Sequence, residues 1–329
     1  MKNIDALINK GCFAKLCREF VKYKRSIGYN YGLRQCYSIK YMNDYLSTKA
    51  DNAESLSKKL IEEYIAKKRG ESTASQLRRI SIIRQFAIFM SSLGYEAYQL
   101  PLGIVKAQKE FIPYIYSKKE IESIIKIADQ LEFKSYSPSY NLAYPMLLRL
   151  LFGCGLRIGE ALALTLEDVD LDEGVFIVKQ SKFNNNRLVP MSESLLRYTR
   201  KYYANMNFDS HIQRYFFPSN RKSKPYSQSA IYSQFRKLLK VAGIEHGGRG
   251  IGPRLHDARH TYAVYALEQM VQQGMDVYCT LPILSAYMGH RTVESTEKYL
   301  RLLPSEHMSI IDKMAPSYEG LFPEVSDYE

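Results

Sequence analysis

The stretch Arg254–Tyr262, RLHDARHTY, is open to two different chemistries. His256 and His260 stand four residues apart and share one face of a helix. With Asp257 beside the first of them, they imitate the H-E-x-x-H signature of a zinc site. His256 and Arg259, three residues apart, share a face equally well and would hold a phosphate. The zinc chemistry is weak on its own terms. It needs a glutamate as general base directly after the first histidine, whereas Asp257 is shorter and Arg259 sets a fixed cation beside the metal. The phosphate chemistry finds companions elsewhere in the chain. In GLRIGEALAL a glycine turn delivers Arg157 to the start of a helix, SKFNNN is turn chemistry carrying Lys182, and MGH sets His290 nine residues before Tyr299.

This order of Arg, Lys, H-x-x-R, G-H and Tyr resembles the tyrosine recombinases, also called phage integrases, over essentially the whole chain. GLRIGEALAL resembles the family's first arginine box and makes Arg157 its first catalytic arginine. Aligning RLVPM with the family's return strand puts Lys182 on the hairpin lysine, with Lys179 and Arg187 as rivals. LHDARHTYA resembles the second box and gives His256 and Arg259. MGH resembles the usual LGH and gives His290, and in STEKYLRL Tyr299 falls at the nucleophile's spacing. Every member of the catalytic set has a match.

The chemistry of the side chains agrees with those roles. A phosphodiester under attack gains charge on its non-bridging oxygens, which the always-charged forks of Arg157 and Arg259 can meet. A phenol with an ordinary pKa of about 10 attacks poorly until a base and a cationic pocket draw off its proton. His256 is the candidate for that proton transfer, His290 for donation to the phosphate, and Lys182 for protonation of the leaving 5′ oxygen. Among 27 tyrosines, Tyr262, Tyr265 and Tyr287 read as packing or phosphate contacts, His260 as a structural helix residue and Glu160 as an orienting one.

The elements that must position these residues are mostly helical. In CFAKLCREFVKYKRSIG the apolar Phe13, Leu16, Cys17, Phe20 and Ile27 follow one helix face and the cations fall mostly elsewhere. Further helices are expected at Leu33–Leu46, at Ser55–Lys68, and from Ser72 or Thr73 to a stop at Gly94. Residues 1–100 thus form a compact helical bundle, which the resemblance implies is a core-binding domain, and 101–116, with prolines at 101 and 113, an interdomain linker. The catalytic domain, 117–304, opens with the capped helix SKKEIESIIKIADQ. It carries a β-hairpin over Gly174–Met191 and helices at Ser192–Asn205, Ser227–Ala242, Leu255–Gln273, Leu281–Met288 and about Glu294–Leu303. Residues 305–329 are an acidic tail. The fold class is mainly α with a small β-hairpin, and the resemblance implies a two-domain DNA clamp.

The charge is +12 overall, with 46 Lys and Arg against 34 Asp and Glu. Residues 1–100 carry 18 basic and 9 acidic side chains, a net of +9, as a binder of a polyanion requires. No apolar run is long enough to span a membrane and the start lacks a signal-peptide plan, so a cytoplasmic protein without a membrane partner is expected. Five scattered cysteines without a C-x-x-C pair point to buried free thiols. The resemblance implies an enzyme that cleaves and rejoins DNA recombination sites through a 3′-phosphotyrosyl intermediate. It implies a homotetramer on DNA, open to help from an accessory DNA-bending protein, and no cofactor or metal, because the covalent link conserves bond energy. The long segment ALEQMVQQGMDVYCTLPILSAYMGH looks like that of transposon and mobile-element recombinases. A chromosome-dimer-resolving recombinase, a type IB topoisomerase and a non-catalytic DNA-binding regulator are the alternatives.

Overall fold

The structure, a computed structural model, describes residues 4–29, 31–50, 52–105, 112–132, 139–179, 186–206, 208, 214–219, 224–248, 252–290 and 292–302. Lys182, residues 106–111 of the expected linker and the acidic tail lie outside the described residues. The chain divides into two compact units, Met1–Phe111 and Ile112–Glu329.

The first unit contains α1 (Ile4–Leu7), α2 (Ala14–Ser26), α3 (Leu33–Ser47), α4 (Lys58–Ile65) and α5 (Thr73–Ser92). The apolar face of α2 turns inward as its spacing predicts, and Phe20 meets Phe86 of α5 edge-on at 5.5 Å. Ile27, one residue past the end of α2, is instead exposed. The third expected helix is shorter than its pattern suggests. Ser55–Leu56 form a strand, β1, paired in parallel with β2 (Glu96–Ala97), and the hydroxyl of Ser57 accepts the Leu60 N–H at 3.3 Å to start α4. That helix stops at Ile65 because side chains of α5 take its last carbonyls. Gln76 donates to Ile65 at 3.1 Å and Arg79 to Tyr64 and Ala66. Four of the five cysteines, all free, are at least partly buried.

The second unit opens with α6 (Lys118–Asp129), where Ser117 and Glu120 exchange hydrogen bonds as a capping box. Its centre is α7 (Tyr140–Cys154), apolar on nearly every side and packed against α6, α9 (Glu193–Met206) and α11 (Asp257–Gln272). Between these run α8 (Ile158–Ala163), an antiparallel sheet in the order β3 (Val169–Asp170), β4 (Val175–Val178), β5 (Arg187–Pro190), and α10 (Gln228–Val241). In the hairpin register Phe176 faces Val189, both fully buried, so a slip by one residue would expel both from the core. The strand β3 adds a third member to the expected hairpin.

Two helix boundaries differ from expectation. The twelfth helix, α12 (Val277–Met288), begins before Leu281, because Asp276 accepts the N–H groups of Tyr278 and Cys279 and this cap carries the helix through Pro282. The last expected helix is broken: α13 (Glu294–Glu297) has four residues, and Tyr299 follows it just ahead of a 3₁₀ turn at Leu300–Leu302. The start of α11 is fixed from a distance. Buried Tyr116 takes the Thr261 hydroxyl on its N–H at 3.0 Å and donates its own O–H to the Arg254 carbonyl at 3.1 Å. Among the described residues no helix is long and apolar enough to cross a membrane.

Gly155 ends α7 with a φ of 61°, and a Cβ there would meet the Tyr262 ring at 2.5 Å. Gly155→Ala is expected to cost about 2 kcal/mol or more, from left-handed backbone strain and displacement of a buried ring. Urea unfolding of the full chain should show a lowered midpoint at unchanged slope.

Candidate active site

Three carbonyls at the end of α12 gather three arginines. Gly289 leaves the helix in the left-handed conformation, φ 64°; the Ser285 and Ala286 carbonyls accept the closing N–H groups of His290 and Gly289, and the carbonyls that follow turn to side chains. Tyr287 accepts from Arg187 Nε at 2.9 Å, Met288 from an Arg259 terminal nitrogen at 2.5 Å, and Gly289 from Arg157 at 3.2 Å. The negative end of the helix dipole suits the guanidinium charges. The other terminal nitrogen of Arg259 reaches the Gly155 carbonyl at 2.8 Å, so the two glycine turns hold this side chain from both ends.

The compensating carboxylate is Glu160. It lies three residues into α8, where it accepts the N–H of Arg157 at 3.0 Å and the Arg157 guanidinium at 2.7 Å. Arg187 donates to both of its oxygens, at 3.3 and 2.8 Å, and Arg259 stands 3.9 Å away. Burial alone would raise this carboxyl. The Arg187 bond and charge and the Arg157 bonds outweigh it and hold the pKa at about 2. Arg259, only 3% exposed, is pulled down from 12.5 to about 10 by burial and by the Arg157 charge, and remains a cation at neutral pH. The Arg157 side chain is 39% exposed and is the member of the three that solvent, or a phosphate, can reach.

A histidine and tyrosine cluster borders this charge centre. His290 directs Nδ1 to the Thr296 hydroxyl at 2.8 Å, and its ring stacks on that of Tyr299 with centroids 6.2 Å apart. Tyr299 is 1% exposed and its hydroxyl lies 3.0 Å from Nδ1 of His260. Burial raises the phenol pKa, and the charges of Arg259 and Arg157 oppose that rise. His256, at the N-terminus of α11, meets His260 edge-on at 5.0 Å; burial, then Arg259, lowers its pKa.

The structure therefore brings together Arg157, His256, Arg259, His290 and Tyr299, all expected at the site. Lys182 lies outside the described residues. Its rivals are both engaged: Lys179 pairs with Asp168 at 2.5 Å and Arg187 is bound to Glu160. Three contributors escaped the sequence reading. Arg187 is a charge-centre residue in its own right, Thr296 orients His290, and His260 bonds the tyrosine instead of serving only its own helix. Asp257, the acid of the imitated zinc signature, is turned onto Arg254, accepting its N–H at 2.8 Å. Among the described residues no group of three or more His, Cys, Asp or Glu could hold a metal ion. Tyr262 and Tyr287 stack on one another, and Tyr265 donates to the Tyr116 carbonyl.

Because the Glu160 pKa in the folded chain lies below its ordinary 4.5, its contribution to stability is fully present above that value and is lost as the pH falls towards 2. The difference corresponds to roughly 3 kcal/mol. Glu160→Gln should therefore be less stable than the parent at neutral pH, with a gap that narrows from about pH 5 towards about pH 2 in urea titrations. A gap independent of pH would assign the loss to shape instead of charge.

A model of the phage integrase family matches residues 115–306. The protein y4rB of Sinorhizobium fredii, which bears an integrase/recombinase name, is 33% identical over 229 residues, 68% of this chain and 72% of that one. Tyrosine recombinase XerD of Rhizobium meliloti is 28% identical over 253 residues, 75% of this chain and 76% of that one. Two solved structures share the fold at lower identity. One is XerH site-specific recombinase bound to palindromic difH substrate in a post-cleavage complex, 15% identical with a TM-score of 0.65 over 90% of this chain and 83% of that chain. The other is the Tn1549 transposon integrase with transposon right end DNA, 16% identical with a TM-score of 0.62 over 91% and 99%. Since the matched region runs from before α6 to beyond Tyr299 and holds every arginine, histidine and tyrosine of the cluster, the chain belongs to the phage integrase family of tyrosine recombinases.

Proposed function

We propose that the protein is a site-specific DNA recombinase in which Tyr299 attacks a phosphodiester, forming a 3′-phosphotyrosyl bond and releasing a 5′ hydroxyl. The observation that carries this reading is the convergence of Arg157 and Arg259 on Glu160 next to Tyr299 and His290. Guanidiniums held by a carboxylate and by backbone carbonyls are preorganised, so they can meet charge developing on the non-bridging oxygens without reorganising. Arg157 offers the accessible contact, and Arg259 acts as a fixed buried charge. With Nδ1 of His290 engaged by Thr296, Nε2 is the nitrogen left to donate to the phosphate. The phenol proton passes to His256 and the leaving oxygen takes a proton from Lys182. The 5′ hydroxyl of the partner strand reverses the step, and two such rounds in a homotetramer exchange the strands.

The basic first unit would supply a second grip on the duplex, with residues 1–100 carrying a net charge of +9. The long segment between Arg259 and His290 favours integration or excision of a mobile element. Relatives named XerD support a second reading, resolution of chromosome dimers.

Tyr299→Phe removes only the attacking oxygen. It should retain DNA affinity but form no covalent adduct on a nicked suicide duplex drawn from the DNA flanking the coding sequence; an adduct that survives moves the nucleophile to another tyrosine. Lys182→Ala should slow cleavage by about 10² to 10⁴. A substrate with sulfur at the 5′ bridging position releases a thiolate that needs no proton. It should be cleaved by Lys182→Ala nearly as fast as by the parent, while Arg157→Ala and Arg259→Ala stay impaired. Rescue with Lys179→Ala instead would transfer the acid to that residue.

A further inference from the structure

Tyr299 is the proposed nucleophile, yet its side chain is almost wholly enclosed. It packs with Ala263, Val264 and Leu267 of α11 and with Leu281, Leu284 and Met288 of α12. Attack requires its oxygen to approach phosphorus to about 3 to 3.5 Å in line with the leaving oxygen. A ring 1% exposed, with its hydroxyl turned onto a histidine that is itself 8% exposed, cannot receive a DNA phosphate there.

The histidine is suited to hold a neutral phenol. A buried hydroxyl needs an acceptor, and a neutral imidazole offers one ring nitrogen as acceptor and the other as donor. His260 is kept neutral by its surroundings: burial, then His256, Lys298, Arg254 and Arg259, lowers its pKa to about 3. Its Nδ1 lies 3.0 Å from the Tyr299 hydroxyl, with the two rings inclined at 54°. The tyrosine is borne by little regular structure, between the four residues of α13 and a 3₁₀ turn. A short carrier can shift without unfolding a long helix.

We infer that His260 is a positioning residue for the nucleophile, which stores the Tyr299 hydroxyl against Nδ1 in the DNA-free protein and must release it before attack. The inference rests on the assignment of Tyr299 as nucleophile. Storage is distinct from the proton transfer given to His256, because the bond to His260 has to break before the reacting atoms meet. It therefore opposes the reaction instead of promoting it.

The chain has six histidines, so their imidazole ¹⁵N signals are few enough to assign. In the DNA-free protein Tyr299→Phe should move the His260 Nδ1 signal, and in the parent the nicked flanking duplex should move it the same way. On that duplex His260→Ala should form the covalent adduct about two- to tenfold faster, the factor expected from losing one hydrogen bond of ordinary strength. His260→Gln, which can still accept from the phenol, should fall between the two. A His260 signal indifferent to Tyr299→Phe overturns the inference, and so does slower adduct formation by a folded His260→Ala, which would make His260 a base in the attack. If His260→Ala does not fold, the signal in Tyr299→Phe decides alone. An adduct formed by Tyr299→Phe is a different result, which removes the nucleophile assignment itself.

Discussion

Everything at the site depends on keeping three guanidinium groups together in a mostly water-poor pocket. Like charges a few ångströms apart repel, and burial removes the solvent that would screen them. The chain answers with one full negative charge, Glu160, and with the partial negative charge at the end of α12. Neither alone would serve. A single carboxylate has two oxygens, already occupied by Arg157 and Arg187, and the more distant Arg259 is completed by the Gly155 and Met288 carbonyls. The glycines at 155 and 289 follow from this need, since a left-handed residue turns the chain sharply away just where those carbonyls must stay open. A stability requirement and the proposed phosphate contact thus meet in the same atoms. The cluster that would bind a phosphate is also what holds α7, α8, β5 and α12 in place.

The second constraint is that the charge centre and the tyrosine are supported by different kinds of structure. The arginines come from well-anchored elements: the start of α8, the first residue of β5 and the first turn of α11. Tyr299 and Thr296 come from α13 and the residues just after it. Because Thr296 bonds His290 and Tyr299 stacks on the same ring, a shift of this segment changes the partners of His290 as it moves the tyrosine. Exposure of Tyr299 and orientation of His290 are therefore coupled through one short piece of chain.

What could be read from the sequence was local. The helix starts at Ser72, Ser117 and Ser227 are each one serine accepting one backbone N–H, a signal confined to four residues. The arginine boxes are legible because residue type and spacing match the family in GLRIGE and LHDARHTY, with a glycine turn ahead of the arginine in the first. What escaped was set by distant partners. Arg187 meets Tyr287 across 100 residues, and His260 meets Tyr299 across 39. No periodicity reports such a pair, and His260 looked structural because the i, i+4 relation to His256 was its only visible neighbour. The two-residue strands β1 and β2 are too short for alternation to appear, so the helical pattern of α4 runs on over Ser55 and Leu56 in the sequence. The end of α4 was equally invisible, because it is set by Gln76 and Arg79 from another helix.

The same kind of long-range contact anchors both ends of the hairpin. Lys179 closes the outgoing side by pairing with Asp168, and Arg187 closes the returning side by its bonds to Glu160 and Tyr287. The strands between them are held in register by Val178 opposite Arg187. The returning strand thus begins inside the charge centre, so the register of β4 against β5 and the place of Arg187 beside Glu160 are fixed together.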